Sequence, residues 1–324
     1  MRTAKFCPLH SISIKMKISK KYFVFGAFIG IGLLIGVVRF LPDGKLHVIF
    51  CDVGQGDATL LRMPNQAYML VDGGPDDKVL GCLGRHLPFY ARKLEIVAMT
   101  HPQKDHFGGL VSVLKRYQIG YFVTVPLKNS TTSFEQLTKT LETQKIPIKY
   151  LSTGNKLKFG NVQMDTIWPE EKWLVESLSL TPNQISQLNI GQNGGQILGF
   201  ATSKDLNLFS LYLHLKYGQF DLLLTGDGDS PVQSLIWQLG LESRLPQDLE
   251  VLKVPHHGSK TGMTDEFINF TRPKLSVIEV GKNNYGHPNP DTVTKLKQWG
   301  QVLRTDQGGD IEVIIDGRNW FVKR

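Results

Sequence analysis

The chain has few cysteines, only three among its 324 residues. Cys7, Cys51 and Cys82 show no C-x-x-C spacing, and their odd number leaves one thiol over. A disulfide-dense scaffold is therefore excluded, and we expect neither a disulfide framework nor a thiolate metal site. Fixed-period repeats and low-complexity tracts are also lacking, so we expect one large domain with a short appendage.

Net charge is nearly absent from most of the chain, although the whole chain carries +8. Residues 1–42 hold seven Lys and Arg and none of the 29 acidic residues, which leaves 30 basic residues against those 29 acids in the remainder. The high pI therefore describes the N-terminus. It does not indicate that the larger part of the chain binds a polyanion.

One long hydrophobic run is present, at residues 22–41, and it is apolar except for Arg39. A helix of this length can cross a bilayer core of roughly 30 Å. The residues before the run are basic and the exit has no small-x-small cleavage site, so we expect a retained anchor with a cytoplasmic N-terminus. The sequence thus predicts a cytoplasmic tail at 1–21, a single-pass plasma-membrane anchor at 22–41, and an extracytoplasmic domain at 45–324. Glycines at small-xxx-small spacing within the anchor leave an anchor-mediated homodimer open.

Strands and helices alternate after residue 45, which is typical of a layered α/β fold. Alternating hydrophobicity and turn residues predict strands at 46–52, 58–63, 67–71, 96–99, 209–216, 220–224, 252–254, 275–280 and 311–315, with a further strand near 302. Helices are predicted at 78–87 and 109–117. Residues 177–206 are rich in Ser, Asn, Gln and Gly without clear periodicity, and we interpret them as a surface insertion, either a lid or an unstructured loop.

Four predicted strands end in a carboxylate or a histidine, followed by glycine or another metal-ligand type. These ends are Asp72-Gly-Gly, His101 leading to Asp105-His106, Gly226-Asp227 and His256-His257-Gly. The ends of strands in an α/β sheet are where binding and catalytic groups gather. Histidine and carboxylate together suit zinc, manganese or iron(II), so the sequence predicts a metal site.

The order of these motifs resembles the metallo-β-lactamase superfamily and, more narrowly, is similar to the C-terminal hydrolase domain of ComEC-type DNA-uptake competence proteins. The residues that carry the resemblance are Asp52-Val-Gly-Gln-Gly-Asp57, Val71-Asp72-Gly-Gly, Thr100-His101-Pro102 through Asp105-His106-Phe-Gly-Gly, Leu223-Leu-Thr-Gly-Asp227, Val254-Pro-His-His-Gly-Ser259, Asn283 with Tyr285-Gly-His-Pro288, and Arg304-Thr-Asp306. The resemblance implies an α/β fold, a four-layer αβ/βα metallo-β-lactamase sandwich, preceded here by one N-terminal transmembrane helix.

The resemblance also implies a ligand set for one or two divalent ions, manganese or zinc. The matching positions are His101, Gln103, Asp105, His106, Asp227 and one of the pair His256 and His257. We take His257 as the ligand, although the sequence does not decide between the two. Asp72, Asp57 and Asn207 fall where residues that support the ligands are expected. Gln103 departs from the pattern, because the superfamily has histidine there and ComEC-type domains often have aspartate, and the histidine before Gly226-Asp227 is also missing.

The expected chemistry is phosphodiester hydrolysis with a metal-activated water. Asp105 is predicted to position the water, His256 to stabilise the developing oxyanion, and His287 to protonate the leaving group or contact phosphate. Three lysines near the motifs are candidates for phosphate contacts or are ordinary solvated residues: Lys253, Lys260 and Lys282.

Three functions remain open at this point. The first is a membrane-anchored nuclease for extracellular DNA, working with a channel supplied by a separate protein. The second is a hydrolase of another envelope phosphodiester, for example of the phosphorylcholine type. The third is a non-catalytic binding module whose metal site has decayed, which Gln103 favours and which the intact Asp105, His106 and Asp227 oppose.

Overall fold

The structure is a computed structural model that describes residues 20–38, 41–189 and 199–323. The chain divides into two compact units, Met1–Leu41 and Pro42–Arg324. In the first unit, helix α1 spans Lys20–Val38. Within the described ranges, no helix has the length and hydropathy of a membrane span. Much of the predicted tail and the end of the predicted anchor lie outside those ranges, so the anchor stays a prediction.

The second unit contains fifteen strands and ten helices among its described residues. The strands are β1 Leu46–Phe50, β2 Thr59–Arg62, β3 Tyr68–Val71, β4 Lys93–Ala98, β5 Gln118–Thr124, β6 Ile148–Tyr150, β7 Lys156–Phe159, β8 Val162–Trp168, β9 Tyr212–Tyr217, β10 Phe220–Leu224, β11 Val251–Lys253, β12 Leu275–Ile278, β13 Gln301–Arg304, β14 Ile311–Ile315 and β15 Trp320–Lys323. The helices are α2 Lys78–His86, α3 Lys104–Phe107, α4 Leu110–Arg116, α5 Thr132–Thr143, α6 Glu171–Ser177, α7 Pro182–Asn189, α8 Ser230–Gln238, α9 Asp265–Thr271, α10 Pro290–Lys297 and α11 Thr305–Gly308.

The strands form two mixed sheets of similar construction. The first has the order β15-β14-β1-β2-β3-β4-β5-β6, and the second has the order β13-β12-β11-β10-β9-β8-β7. In each sheet an antiparallel set continues into a parallel set, which is β3 to β6 in the first sheet and β10 to β13 in the second. Parallel strands place their carboxyl ends at one edge, so each sheet offers one edge for a site.

The sheets pack face to face, and helices cover the outer face of each. Alternation along β1 shows this arrangement, because Leu46, Val48 and Phe50 lie in the core between the sheets. Ile49 faces outward and packs with α2 and α4. A third apolar cluster lies between the second sheet and helices α8 and α9. The predicted αβ/βα four-layer sandwich is therefore confirmed for residues 42–189 and 199–323.

Most predicted elements before residue 118 are found within two or three residues of their predicted bounds, as are those after residue 209. The predicted surface insertion at 177–206 is partly helical, because it contains α7, whose residues carry weak amphipathic periodicity. Residues 190–198 of that segment lie outside the described residues. Its role as a lid stays a prediction.

One expectation about cysteine is wrong, because Cys51 and Cys82 form a disulfide. Cys51 follows β1 on the helix-facing side of the first sheet, and Cys82 is on α2, which packs against that side. The two residues are 31 positions apart, so spacing alone does not show that their Cα atoms lie 5.8 Å from each other. The third cysteine, Cys7, lies outside the described residues.

Candidate metal centre

The centre lies where the parallel parts of the two sheets end. Asp72 directly follows β3 and His101 comes shortly after β4, while Asp227 follows β10 and His257 follows β11. Asp72, His256 and His257 have φ values of +59°, +50° and +52°. This left-handed conformation is unfavourable for residues other than glycine, and such strain is typical of functional sites.

Four side chains converge in this region: Asp105, His106, Asp227 and His257. One ligand atom from each lies within 4.8 Å of the other three. Asp227 Oδ2 is 3.2 Å from His106 Nε2 and 3.4 Å from His257 Nε2. Asp105 Oδ2 is 3.4 Å from His257 Nε2. Two carboxylates and two imidazoles at this spacing provide a donor set that suits zinc or manganese.

Both ligand histidines are held in the orientation that a metal needs. His257 Nδ1 donates to the carbonyl oxygen of Glu279 at 2.8 Å, and a carbonyl only accepts. His106 Nδ1 lies 2.9 Å from Asp72 Oδ2. The Nε2 atoms of both rings are buried and make no hydrogen bond to any described residue. Because each Nδ1 holds the proton, each Nε2 can offer its lone pair to a cation, so the residues present fit a metal ion.

The electrostatics also favour a cation at this point. Burial opposes ionisation of Asp227, but the charges of His257 and His106 outweigh it and hold the Asp227 pKa well below its usual value. Burial likewise opposes the charged form of His106 and His257, yet the charge of Asp227 raises the pKa of both rings. Protons on the rings therefore supply positive charge between the carboxylates, and a divalent ion would replace those protons.

His101 and Gln103 lie beside this group of four ligands. The Thr100 hydroxyl donates to Asp72 at 2.7 Å, so His101 Nδ1, 3.1 Å from that oxygen, donates to it. His101 Nε2 is buried and without a hydrogen bond among the described residues. Burial and the charge of His106 lower the pKa of His101 to about 3, so its ring is neutral. Gln103 lines the same pocket as Asp105, and its role as a ligand of a second ion stays a prediction.

Asp57 and Asp72 lie beside the ligand histidines, at the positions from which support was predicted. Asp57 Oδ1 is 3.3 Å from His257 Nδ1, and Asp57 Oδ2 is 3.7 Å from His106 Nδ1. Asp57 is held by the loop that follows Cys51, where Ala58 N donates to the carboxylate of Glu279 at 3.0 Å. Asn207 is buried on a short 3-10 helix, and its Oδ1 makes no hydrogen bond to a described residue, so its supporting role stays a prediction.

Lys253 is buried, which makes the prediction that it contacts a substrate phosphate wrong. Its side chain is only 2% exposed, and Nζ contacts Asp57 Oδ2 and donates to Gly226 O at 2.9 Å. Burial disfavours its charge, but Asp57 and Asp227 raise its pKa, so it is a buried cation. A residue in this position does not reach a substrate phosphate. Sequence reasoning missed the role because Lys253 ends a three-residue strand whose burial only the fold reveals.

The other two lysines separate in the structure. Lys282 lines the pocket above the metal ligands, together with Gln103, Lys104 and Tyr285. Lys260 lines a different groove, with Asn289 and Lys295. The structure therefore places Lys260 outside the pocket that the metal ligands line, contrary to the prediction of a phosphate contact there.

His256 and His287 lie in the pocket but outside the ligand group. Their ring centroids are 5.5 Å apart. His256 Nδ1 lies 3.5 Å from Asp229 Oδ2, and this contact outweighs burial and raises the His256 pKa. Burial and the charge of His256 lower the His287 pKa. The structure thus favours His257 as the ligand and leaves His256 free to act on a substrate.

Comparison with known proteins gives three bacterial relatives that match this chain at similar sequence identity. The chain is 26% identical to ComE operon protein 3 of Bacillus subtilis over 299 residues, which is 83% of this chain and 33% of that protein. It is 25% identical to competence protein ComA of Neisseria gonorrhoeae over 289 residues, covering 86% and 34% of the two chains. Recombination protein 2 of Haemophilus influenzae is 24% identical over 269 residues, covering 81% and 28%. The chain thus spans about a third of the length of these relatives.

No family model matches the chain. Among solved structures, the metallo-β-lactamase fold protein YhfI from Bacillus subtilis has a TM-score of 0.49 at 12% identity, covering 82% of this chain and 99% of that one. A long form RNase Z from yeast has a TM-score of 0.45 at 14% identity, covering 83% and 42%. The chain is thus similar over more than four fifths of its length to proteins that include ones named for competence and recombination. Its two-sheet sandwich agrees with the architecture that the sequence resemblance implies.

Proposed function

We propose that the protein is a metal-dependent phosphodiesterase that cleaves extracellular nucleic acid at the outer face of the plasma membrane. The observation that carries this proposal is the convergence of Asp105, His106, Asp227 and His257 beside an open pocket of about 910 Å³. A site for a structural metal would be closed, whereas this one leaves room for a substrate above the ligands.

A divalent ion held by these four residues supplies Lewis acidity and an activated water nucleophile. Asp105 is the most exposed of the four ligands, with its side chain 33% exposed, so its carboxylate could orient the attacking water. The contact with Asp229 raises the His256 pKa and so favours the charged ring, which would stabilise the developing charge on a phosphoryl oxygen. His287 is the candidate that protonates the leaving oxygen, or that contacts the phosphate.

Nucleic acid is the favoured substrate for two reasons. Two of the relatives are named for competence and for recombination, and Lys104 and Lys282 line the pocket. Another envelope phosphodiester would use the same metal and the same protons, and it is the second candidate. A binding module with a decayed site is disfavoured by the four aligned ligands.

The proposed location rests on the N-terminal sequence and is supported by the disulfide. Residues 22–41 are apolar after a basic flank. A disulfide between Cys51 and Cys82 suits an oxidising compartment, as expected for a domain outside the cytosol. A C-terminal tag should be digested by protease added to intact spheroplasts. A tag that is protected from protease, or protein recovered in the medium, would contradict this location. An anchor-mediated dimer and a separate channel partner stay predictions.

The function is tested with the full chain in mild detergent. Single-stranded DNA, duplex DNA, RNA, a bis-nitrophenyl phosphodiester and a phosphorylcholine diester are offered with manganese or zinc, before and after chelation. We expect nucleic acid to be cleaved in a metal-dependent way. Lys260→Ala, which lies in the separate groove, is the control variant. Cleavage that resists chelation rules out the metal mechanism, and preference for the phosphorylcholine diester rules out the nuclease assignment.

A further inference from the structure

An aromatic side chain stands exposed at the mouth of the metal pocket. Tyr285 lines the same pocket as Asp105 and Asp227, and it is 77% exposed. A large apolar ring that is left in water beside a metal site loses the stability that burial would give it. A single exposed ring is ordinary on a protein surface. What sets Tyr285 apart is its position in the pocket that the metal ligands line.

The loop that carries Tyr285 is held by one side chain, Asn283. Its Nδ2 donates to the carbonyl oxygens of Gly281 and His287, both at 2.8 Å. Its Oδ1 accepts from the backbone N–H groups of Tyr285 and His287, both at 3.1 Å. All four bonds lie within one short loop, so Tyr285 is presented on a braced turn. A ring fixed in this way loses little conformational entropy when it binds a ligand.

Aromatic rings continue from Tyr285 toward the metal ligands. The Tyr285 and His287 rings are 5.8 Å apart between centroids, with an interplanar angle of 37°. The His287 and His257 rings are 6.4 Å apart at 32°. The tilts are modest, so the three rings form a sloping ledge that runs from solvent to a metal ligand. We name Tyr285, His287 and His257 the aromatic ledge.

Cationic side chains accompany this ledge. Lys282 lies three residues before Tyr285, and Lys104 precedes the ligand Asp105; both line the pocket. Aromatic rings that stack on bases, with nearby lysines that contact phosphates, are the two parts of sites for single-stranded nucleic acid. A choline headgroup would contact the ring only through its ammonium and has no ring of its own to stack. A comparison of strands with and without bases therefore tests stacking directly.

We propose that Tyr285 forms a base-stacking subsite, which binds an unpaired nucleobase of a single-stranded nucleic acid while a neighbouring phosphate lies at the metal centre. This inference rests on the proposed phosphodiesterase function and specifies its substrate as unpaired strand. Stacking engages the face of a base, so the subsite accepts any base and rejects a strand from which the base has been removed.

The subsite is tested by binding under chelation, where no hydrolysis occurs. Fluorescein-labelled oligothymidylate and the same strand built from abasic units are titrated with wild-type full chain and with Tyr285→Phe and Tyr285→Leu, using fluorescence anisotropy. Leucine keeps apolar bulk but has no ring, and phenylalanine keeps the ring. Tyr90→Leu is the control, because Tyr90 is an exposed aromatic residue outside the pocket.

We expect Tyr285→Leu to weaken binding of oligothymidylate about tenfold, with Tyr285→Phe and Tyr90→Leu close to wild type. Binding of the abasic strand should be weak and insensitive to all three changes. Equal effects of Tyr285→Leu on both strands, or no effect on either, would overturn the subsite even if the protein cleaves DNA. If the base-dependent loss is seen and no phosphodiester is cleaved, the subsite stands and the proposed catalytic function falls.

Discussion

The buried back of the metal centre and its exposed mouth are built differently. At the back, Asp57, Asp72 and Lys253 are each at most 3% exposed, and they contact one another or the ligand histidines. At the mouth, Lys282 and Tyr285 face solvent and line the pocket. Charges at the back therefore depend on fixed partners for their stability, whereas groups at the mouth are hydrated and free to meet a substrate.

This difference teaches which property each change should alter. Removing one partner of a buried ion pair leaves an uncompensated charge, which typically costs about 3–5 kcal/mol of stability. Removing a solvent-exposed charge costs at most about 1 kcal/mol. Changes at the back should thus appear in folding and metal retention, and changes at the mouth should appear in substrate binding.

The largest effect is expected on activity, from a change at the metal ligand Asp227, which lies between the buried back and the exposed mouth. Asp227→Ala removes the carboxylate that faces both His106 and His257, so phosphodiesterase activity should fall by about 10³-fold or more. Activity and bound metal are measured on the same preparation, with circular dichroism to check folding. A folded variant that keeps both its metal and its activity would show that the ion is held elsewhere.

The next effect is expected at Lys253, and it concerns stability. Lys253→Met keeps the length of the side chain but leaves Asp57 without its cation, so chelated protein should lose about 3 kcal/mol of unfolding free energy. Added manganese should restore part of the loss, because the ion supplies positive charge to the same carboxylates. Denaturant unfolding with and without manganese measures both quantities.

Lys260→Met is the matched control for that experiment, since Lys260 lies in the separate groove. We expect it to change stability by no more than about 0.5 kcal/mol. If Lys253→Met is as mild as the control, the claim that the back depends on fixed charge partners is wrong.

Gln103 tests whether the mouth of the pocket holds a second metal ion. It lines the pocket together with Asp105, and it supplies only a neutral amide. Gln103→Asp should lower the manganese concentration for half-maximal activity about tenfold, and Gln103→His should shift preference toward zinc. Activation curves for the wild type and both variants give the answer. Superimposable curves would mean that the second metal position is not used.

A smaller effect is expected at the mouth, where Lys282 lines the pocket. Lys282→Ala should raise the KM for single-stranded DNA about two- to fivefold and make KM less sensitive to salt, with kcat and thermal stability unchanged. Steady-state kinetics at two ionic strengths measures this. A loss of stability would place Lys282 with the buried groups.

The smallest effect is expected at Glu312, far from the metal centre. It tests whether a paired, buried charge contributes to stability there as well. Glu312 Oε1 lies 2.7 Å from His47 Nδ1. Burial opposes ionisation of the Glu312 carboxyl, but the hydrogen bond to His47 and the charge of Lys323 lower its pKa to about 2. A lowered folded-state pKa stabilises the protein above the unfolded value near 4.5, and the contribution is lost as pH falls from 4.5 toward 2. Glu312→Gln should flatten the stability profile in that window, as followed by urea unfolding. An unchanged slope would contradict the assignment.

Much of the fold was open to sequence reasoning because it rests on local patterns. Alternation identified β1, and the motifs placed Asp227 and the His256–His257 pair shortly after strand ends, as the structure has them. Asp105 and His106 also follow β4 as predicted, but they lie on the short helix α3. The same reasoning named no element between 118 and 168, where β5, α5 and β6 to β8 are found. The short strands there carry no motif and mix charged with apolar residues.

What sequence could not supply were contacts between distant segments. The disulfide joins residues 31 positions apart, and Lys253 meets Asp57 across nearly 200 positions. Neither residue has a spacing signal, because both contacts depend on packing of an entire sheet. The choice of His257 over His256 also needed the fold, since it depends on the Glu279 carbonyl at the end of β12.

The ligand set is divided evenly between the two halves of the chain. Asp105 and His106 come from the segment after β4 in the first sheet, and Asp227 and His257 come from the ends of β10 and β11 in the second. A bound ion would therefore bridge two sheets that are otherwise joined mainly by apolar packing. Occupancy would couple the two sheets more tightly, and chelation would let hydrogen exchange in one sheet proceed more independently of exchange in the other.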